Sequence, residues 1–165
     1  MPSQRLLGID PGLVATGYGL IGPGPTAAVV VVVSGVIVTD GERALEARLQ
    51  QIYDGVDRLL AEHAPDGVVV EDLYSEYSFP RTALLMAHAR GVICLAAEQH
   101  KIPVLALAPA EVKRAVAAHG TASKAQVQES VRRLLRLPTA PRPSHVADAL
   151  ALALTAFSRA GGRLA

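Results

Sequence analysis

Polar and apolar positions divide the chain into short strand-like runs followed by longer helical ones. Arg5 to Asp10 is an apolar run closed by Pro11-Gly12, and Thr16 to Ile21 is a second, closed by Gly22-Pro23-Gly24-Pro25. A third centres on the valines that end at Val33. Connections this short admit only antiparallel neighbours, because a parallel pair needs a crossover of about a dozen residues or more. The period then changes. From Arg43 to His63, Leu45, Leu49, Ile52, Val56, Leu59 and Leu60 recur at helical spacing, with Asp40 or Gly41 near the start. Pro65-Asp66-Gly67 ends that helix and leads into Val68-Val69-Val70, the continuous apolar run of a strand covered on both faces. Glu71 stands at its C-terminal end.

A polar and aromatic loop, Tyr74 to Pro80, precedes a second long helix through Gln99, and Ile102 to Ala106 supplies a fifth strand. Ser123 or Thr121 can cap a helix running to Leu135. Pro138, Pro141 and Pro143 stiffen the link to a last helix, for which Ser144 is the candidate cap. The order βββαβαβα predicts an α/β fold: a five-stranded mixed sheet, antiparallel meander plus parallel strands, with helices on both faces. One domain over residues 1–165 is expected, since a chain of this length buries one core.

Composition narrows the class. The longest apolar run, Ala27 to Val33, falls well short of the roughly 18 residues of a membrane span. The start, Met1 to Arg5, leads straight into a strand-like run without the apolar stretch of a secretory signal, so a cytoplasmic location is expected. The single cysteine, Cys94, sits in an apolar stretch and reads as a small hydrophobe. A net charge of +1 conceals a division: residues 1–78 carry −7 and residues 79–165 carry +8. Arg81, Arg90, Lys113, Arg114, Lys124, Arg132, Arg133, Arg136 and Arg142 could form a polyanion-binding face or a set of solvated helix faces.

Asp10 ends its strand at a sharp turn, where Asp before Pro-Gly is a common turn residue and, alternatively, a functional carboxylate projecting from the sheet edge. Glu71, directly after three valines, needs a partner: a lysine, a backbone donor, or a cation shared with Asp10. His145 and Asp148, spaced i, i+3, lie on one face of the last helix. Their alternative role is capping near Ser144. Three carboxylates and one imidazole make a hard, oxygen-rich site suited to Mg²⁺ or Mn²⁺. No cysteine cluster or His-Glu-x-x-His pair argues for zinc. Two such cations support phosphodiester hydrolysis. The chain has no phosphate-binding G-x-x-x-x-G-K-S/T loop and no G-x-S-x-G elbow, which disfavours a P-loop nucleotidase and a serine hydrolase.

Several segments together resemble the RuvC Holliday-junction resolvases. They are Gly8-Ile9-Asp10-Pro11-Gly12, Thr16-Gly17-Tyr18-Gly19, Val70-Glu71, Ala89-Arg90-Gly91-Val92, Val112-Lys113, Lys124-Ala125-Gln126-Val127-Gln128 and His145-Val146-Ala147-Asp148-Ala149-Leu150-Ala151. The resemblance runs in register from about Leu6 to Phe157. It implies an RNase H-like fold, a homodimer, and symmetric nicking of a four-way DNA junction with Mg²⁺ or Mn²⁺, two cations per site. It further implies cooperation with a junction-binding and branch-migrating motor complex of the RuvA and RuvB type. Asp10, Glu71 and Asp148 match the family's metal-binding carboxylates, Tyr74 an aromatic that contacts the junction, and Lys113 and Lys124 basic residues facing the DNA backbone. Arg81 is assigned to DNA with them. His145 departs from the commoner aspartate; its imidazole can bind metal, act as a general base, or do both, and implies a Mn²⁺ preference. The loop from Tyr74 to Pro80 is also unusual, with Glu76, Tyr77 and Phe79 where lysine is often found.

Three rivals remain. A ribosomal-RNA-processing nuclease shares the Gly-Ile-Asp-x-Gly opening, but the last helix and Lys124 to Gln128 fit the resolvases better. A non-catalytic junction binder would keep the fold and the basic face. An actin-like ATPase needs two lobes, and this chain is too short for them.

Overall fold

The computed structural model describes residues 4–25, 28–73 and 80–162. At its centre a five-stranded sheet runs in the order β3-β2-β1-β4-β5. The strands are β1 (Leu6–Asp10), β2 (Ala15–Pro23), β3 (Val29–Val38), β4 (Gly67–Glu71) and β5 (Val104–Leu107). β1, β2 and β3 form the antiparallel meander, while β4 lies parallel to β1 and β5 parallel to β4. The mixed sheet expected from the connection lengths is therefore present, with β2 and β3 longer than their apolar runs suggested.

Alternation along the strands supplies two cores, because successive side chains leave a strand on opposite faces. Leu7, Ile9, Leu20, Val68 and Val70 pack against α1 (Leu45–His63) and α2 (Pro80–Gln99). On the other face, Leu6, Ile21, Val69 and Leu107 pack against α3 (Pro109–Ala117), α4 (Lys124–Leu134) and α5 (Ser144–Arg159). Among the described residues no helix is long and apolar enough to cross a membrane.

α5 is the helix that positions the site. Every residue from Ala149 to Phe157 on it is buried, as are Val146 and Ala147. It lies on β1 and β2 where those strands carry glycine. Gly8 pairs with Gly19, and Gly17 with Asp10. A Cβ on Gly8 would stand 1.9 Å from the Ala149 carbonyl oxygen, and one on Gly17 would stand 2.1 Å from that of His145. Only glycine admits backbone this close. The glycines thus set how deeply α5 sits and bring its first two turns against the end of β1.

One local expectation is corrected, one is narrowed to a single residue, and one helix is added. Residues 109–117, unassigned from the pattern, form α3. That helix is only nine residues long and buries just Val112 and Val116, a weak periodic signal, although Pro109 in its first turn and Glu111 and Arg114 near its ends suit a helix. Ser144 is not a cap: Pro143 holds that position without a side-chain bond, because Ser144 is already helical. Ser123, rather than Thr121, caps α4. Its Oγ accepts from the Gln126 N–H at 3.2 Å while its own N–H donates to Gln126 Oε1 at 2.8 Å, a complete capping box.

Candidate active site

Two parallel strands end side by side at the site. Ile9 pairs with Val70, so Asp10 and Glu71 are the next residues on neighbouring strands, at the C-terminal edge where open sheets expose side chains. α5 adds its own pair from above. His145 Nδ1 lies 2.8 Å from Asp10 Oδ2, and one ligand atom each from Asp10, His145 and Asp148 fall within 4.8 Å of one another. Glu71 stands outside that tight trio but lines the same cavity, of about 580 Å³, with Lys113 of α3 and Lys124 of α4. Asp148 is not a cap for its helix. It meets Lys124 Nζ at 3.5 Å.

The charges here oppose one another. Glu71 is pushed up to about 7, first by burial and then by the negative charges of Asp10 and Asp148, against the partial relief of Lys113 and Lys124. Asp10 is raised too, chiefly by burial; its hydrogen bond with His145 pulls the other way. An ionised Asp10 accepts from Nδ1–H, which leaves Nε2 as the imidazole's open nitrogen. Carboxylates that resist ionising beside one another are what a divalent cation relieves, and an oxygen-rich set with one nitrogen suits a hard cation. The donor set therefore fits divalent metal.

A stability signature follows from the direction of these shifts. A raised folded-state pKa favours the protonated form, so its stabilisation is complete below the ordinary Glu value of 4.5 and is lost as pH rises through about 7. In chelator, Tm should fall from about pH 5 to about pH 8, and added Mg²⁺ or Mn²⁺ should raise it most at the upper end. Glu71→Gln should flatten much of that fall. Thermal scans showing the same pH slope in both proteins would assign it to other groups.

Comparison with known proteins decides the family. A family model described as "Crossover junction endodeoxyribonuclease RuvC" matches residues 6–156. The chain belongs to the RuvC family of crossover junction endodeoxyribonucleases. It is 44% identical to RuvC of Rhodopirellula baltica over 90% of this chain and 83% of that one. Among solved structures it is similar to Thermus thermophilus RuvC in complex with Holliday junction substrate, at TM-score 0.87 and 35% identity, covering 96% of this chain and 97% of that one. The yeast mitochondrial Holliday junction resolvase, at TM-score 0.65 and 14% identity over 93% of this chain and 79% of that one, shares the fold alone. The fold is RNase H-like, and the activity of the family is endonucleolytic cleavage of DNA.

Not every predicted residue converges on this site. Asp10, Glu71, His145, Asp148, Lys113 and Lys124 line one cavity. Arg81 is exposed at the start of α2 and does not line it, whereas its neighbour Thr82 does. Tyr74 and the rest of the loop to Phe79 lie outside the described residues. The basic face is less continuous than the charge count suggested. Arg90 donates to the Glu71 carbonyl oxygen at 3.2 Å, and Arg132 donates to both oxygens of Glu129 and to the Leu137 carbonyl, so both serve local structure.

Pattern reasoning missed the supports. Gly8, Gly17 and Gly19 alternate along two paired strands on the α5 face, a spacing that signals close approach only once pairing is known. Arg48 and Thr39, distant in sequence from the turn after Asp10, hold that turn through Leu13. Nothing in their local sequence announces it.

Proposed function

We propose that the chain resolves four-way DNA junctions in recombination and repair by paired, symmetric, metal-dependent phosphodiester hydrolysis. The observation that carries this reading is one cavity holding Asp10, His145, Asp148 and Glu71 beside Lys113 and Lys124, in a chain of the RuvC family. When bound, a pair of Mg²⁺ or Mn²⁺ ions supplies the positive charge that offsets charge building on the phosphodiester and acidifies water.

The protein's own groups then have distinct tasks. Asp10, Glu71 and Asp148 would hold the cations, the first two from rigid strand ends and the third from a buried helix. His145, oriented by Asp10 through Nδ1, offers Nε2 to accept the attacking water's proton or to bind metal. Lys113 and Lys124 hold the phosphate backbone as point charges, and Lys124, which pairs with Asp148 at 3.5 Å, would be free for phosphate with that carboxylate committed to metal. Arg81 extends the DNA contact beyond the cavity, and Tyr74 keeps the junction contact that its motif position implies. Symmetric nicking needs two sites, hence a homodimer; the exposed Leu84 and Leu95 on the outer face of α2 suit such an interface. The protein acts in the cytoplasm with a branch-migrating complex of the RuvA and RuvB type.

A synthetic junction with each strand labelled tests the reading. Paired nicks at symmetric positions in two opposed strands, dependent on divalent metal, are expected. Preferential cleavage of structured RNA, or unpaired nicks in duplex, would overturn it. The imidazole nitrogen further predicts faster cleavage with Mn²⁺ than with Mg²⁺ at equal free metal, and His145→Asp should narrow the difference. Equal rates in the parent protein would remove nitrogen ligation from the account.

A further inference from the structure

The carboxylates of the cavity are held in different ways. Asp10 is bonded to His145 Nδ1, and the turn that follows it is fixed at the Leu13 carbonyl, which accepts from Thr39 Oγ1 and from Arg48 at 3.3 Å. Asp148 rides on the buried α5 and meets Lys124. Glu71 has no such partner. Among the described residues its carboxylate makes no hydrogen bond or ion pair, so the backbone beneath it sets where it stands. That backbone lies where the sheet gives out. β1 pairs with β4 only as far as Ile9 and Val70; beyond them β5 is the one strand, among those described, that still holds β4, through the pairing of Glu71 with Leu107 and an Asp72 N–H that donates to the Leu107 carbonyl at 2.8 Å.

Arg90 reaches the same strand end from α2. Its Nε donates to the Glu71 carbonyl at 3.2 Å, and its Nη2 lies 4.0 Å from Asp72 Oδ1, an oxygen that also accepts from the Leu73 N–H at 3.0 Å. α2 is firmly seated at that level, since Ala89 and Ile93 are buried in the core that also takes Val68 and Val70 of β4. Only 24% of the Arg90 side chain is exposed, so the guanidinium is committed to the strand end rather than presented to solvent.

We infer that Arg90 is a positioning residue for Glu71: standing on α2, it holds the end of β4 so that the carboxylate is presented where a cation is bound. The inference rests on the proposed nuclease reading, in which Glu71 holds metal, and assigns a residue which that reading leaves without a task. A cation's donors must lie within about 0.2 Å of their usual distances, and a strand end free to rotate one peptide plane carries its side chain further than that. A donor held on the Glu71 carbonyl restrains that plane. Arginine suits the position because its rigid, planar fork aims Nε and Nη2 at different acceptors, a geometry the compact ammonium of lysine does not reproduce. Glu71 then answers to α2 while His145 and Asp148 answer to α5, so the donor set is supported from both faces of the sheet.

Mn²⁺ binding without DNA, followed by the electron paramagnetic resonance of the free ion, tests the assignment in the parent, Arg90→Gln, Glu71→Gln and the double variant. Arg90→Gln should weaken Mn²⁺ binding about tenfold in the parent, the usual size for losing a residue that orients a ligand, and less than about twofold once Glu71 is already glutamine. In single-turnover cleavage of a four-way junction the half-saturating Mn²⁺ should rise by a similar factor, while junction affinity in chelator stays within about twofold. Arg90→Lys should recover part of the loss. Equal weakening in both backgrounds would mean a general loosening of the fold, and unchanged Mn²⁺ binding with lower junction affinity and a shallower salt dependence would make Arg90 a phosphate contact. Either result overturns the positioning role while leaving junction cleavage in place. Should Arg90→Gln not fold, Arg90→Lys carries the same cycle at smaller size. A parent that neither binds Mn²⁺ nor cuts the junction would instead overturn the nuclease reading, and the positioning role with it.

Discussion

Asp10→Asn should abolish metal-dependent nicking and should leave junction binding near the parent level. Asp10 is 15% exposed and bonded to His145, and its carboxyl is pushed up first by burial and further by the negative charge of Asp148. The carboxamide keeps the shape and the chance to accept from Nδ1–H, so the fold and the imidazole's orientation survive. What disappears is one negative charge at the centre of the donor set. Loss of metal-supplied charge stabilisation, worth several kcal/mol, corresponds to a fall on the order of a thousandfold or more in single-turnover rate. Binding draws mainly on phosphate contacts from basic side chains and is untouched by this change. Gel-shift affinity and cleavage on one junction give both readings. Nicking by Asp10→Asn within about tenfold of the parent would mean the carboxylate is structural, and absence of nicking in the parent with binding intact would favour a non-catalytic junction binder.

Gly17→Ala should be as damaging by an entirely different route. Its Cβ would meet the His145 carbonyl oxygen at 2.1 Å and the His145 Cβ at 2.7 Å, and the first of these is helix backbone that cannot rotate away. Either α5 lifts from β2 or the strand bends, at a cost of about 3 kcal/mol or more, since overpacking rigid groups exceeds the usual range for inserted methyls. For a chain of this length that lowers Tm by on the order of 10 °C. The lifted end of α5 carries His145 and Asp148, so the fraction still folded should also cleave far more slowly, because a displacement of about 1 Å suffices to lose orders of magnitude. Gly8→Ala, at 1.9 Å from the Ala149 carbonyl, should share the loss of stability. Gly41→Ala, with open space around it, should be neutral or slightly stabilising. Normal Tm and rate in Gly17→Ala would show that α5 tolerates a wider spacing than the contact implies.

These two variants separate what the local pattern reveals from what assembly adds. The strands and long helices were legible because burial of one or both faces imposes a period of two or of about 3.6 on the residues themselves. α3 was not, because two inward valines leave too little periodicity, and the capping role of Ser144 failed because Pro143 already begins the turn. The carboxylates were legible for a related reason: an acid at the end of a valine strand, or facing inward on an alanine and leucine helix, violates the local preference for apolar groups.

By itself, then, the chain's order of residues determined the meander, the parallel pair, the acidic donor types and the family they resemble. These depend on neighbours in sequence or on the joint presence of motifs. Only the tertiary structure decided that Gly8 and Gly17 let α5 approach until His145 reaches Asp10, that Lys124 rather than a helix cap answers Asp148, and that Glu71 stands apart from the tight trio yet shares its cavity. It alone set Val14 and Met86 beside the carboxylates. Pairing register and packing depth are properties of contacts between segments far apart in the chain, and no period within a segment encodes them.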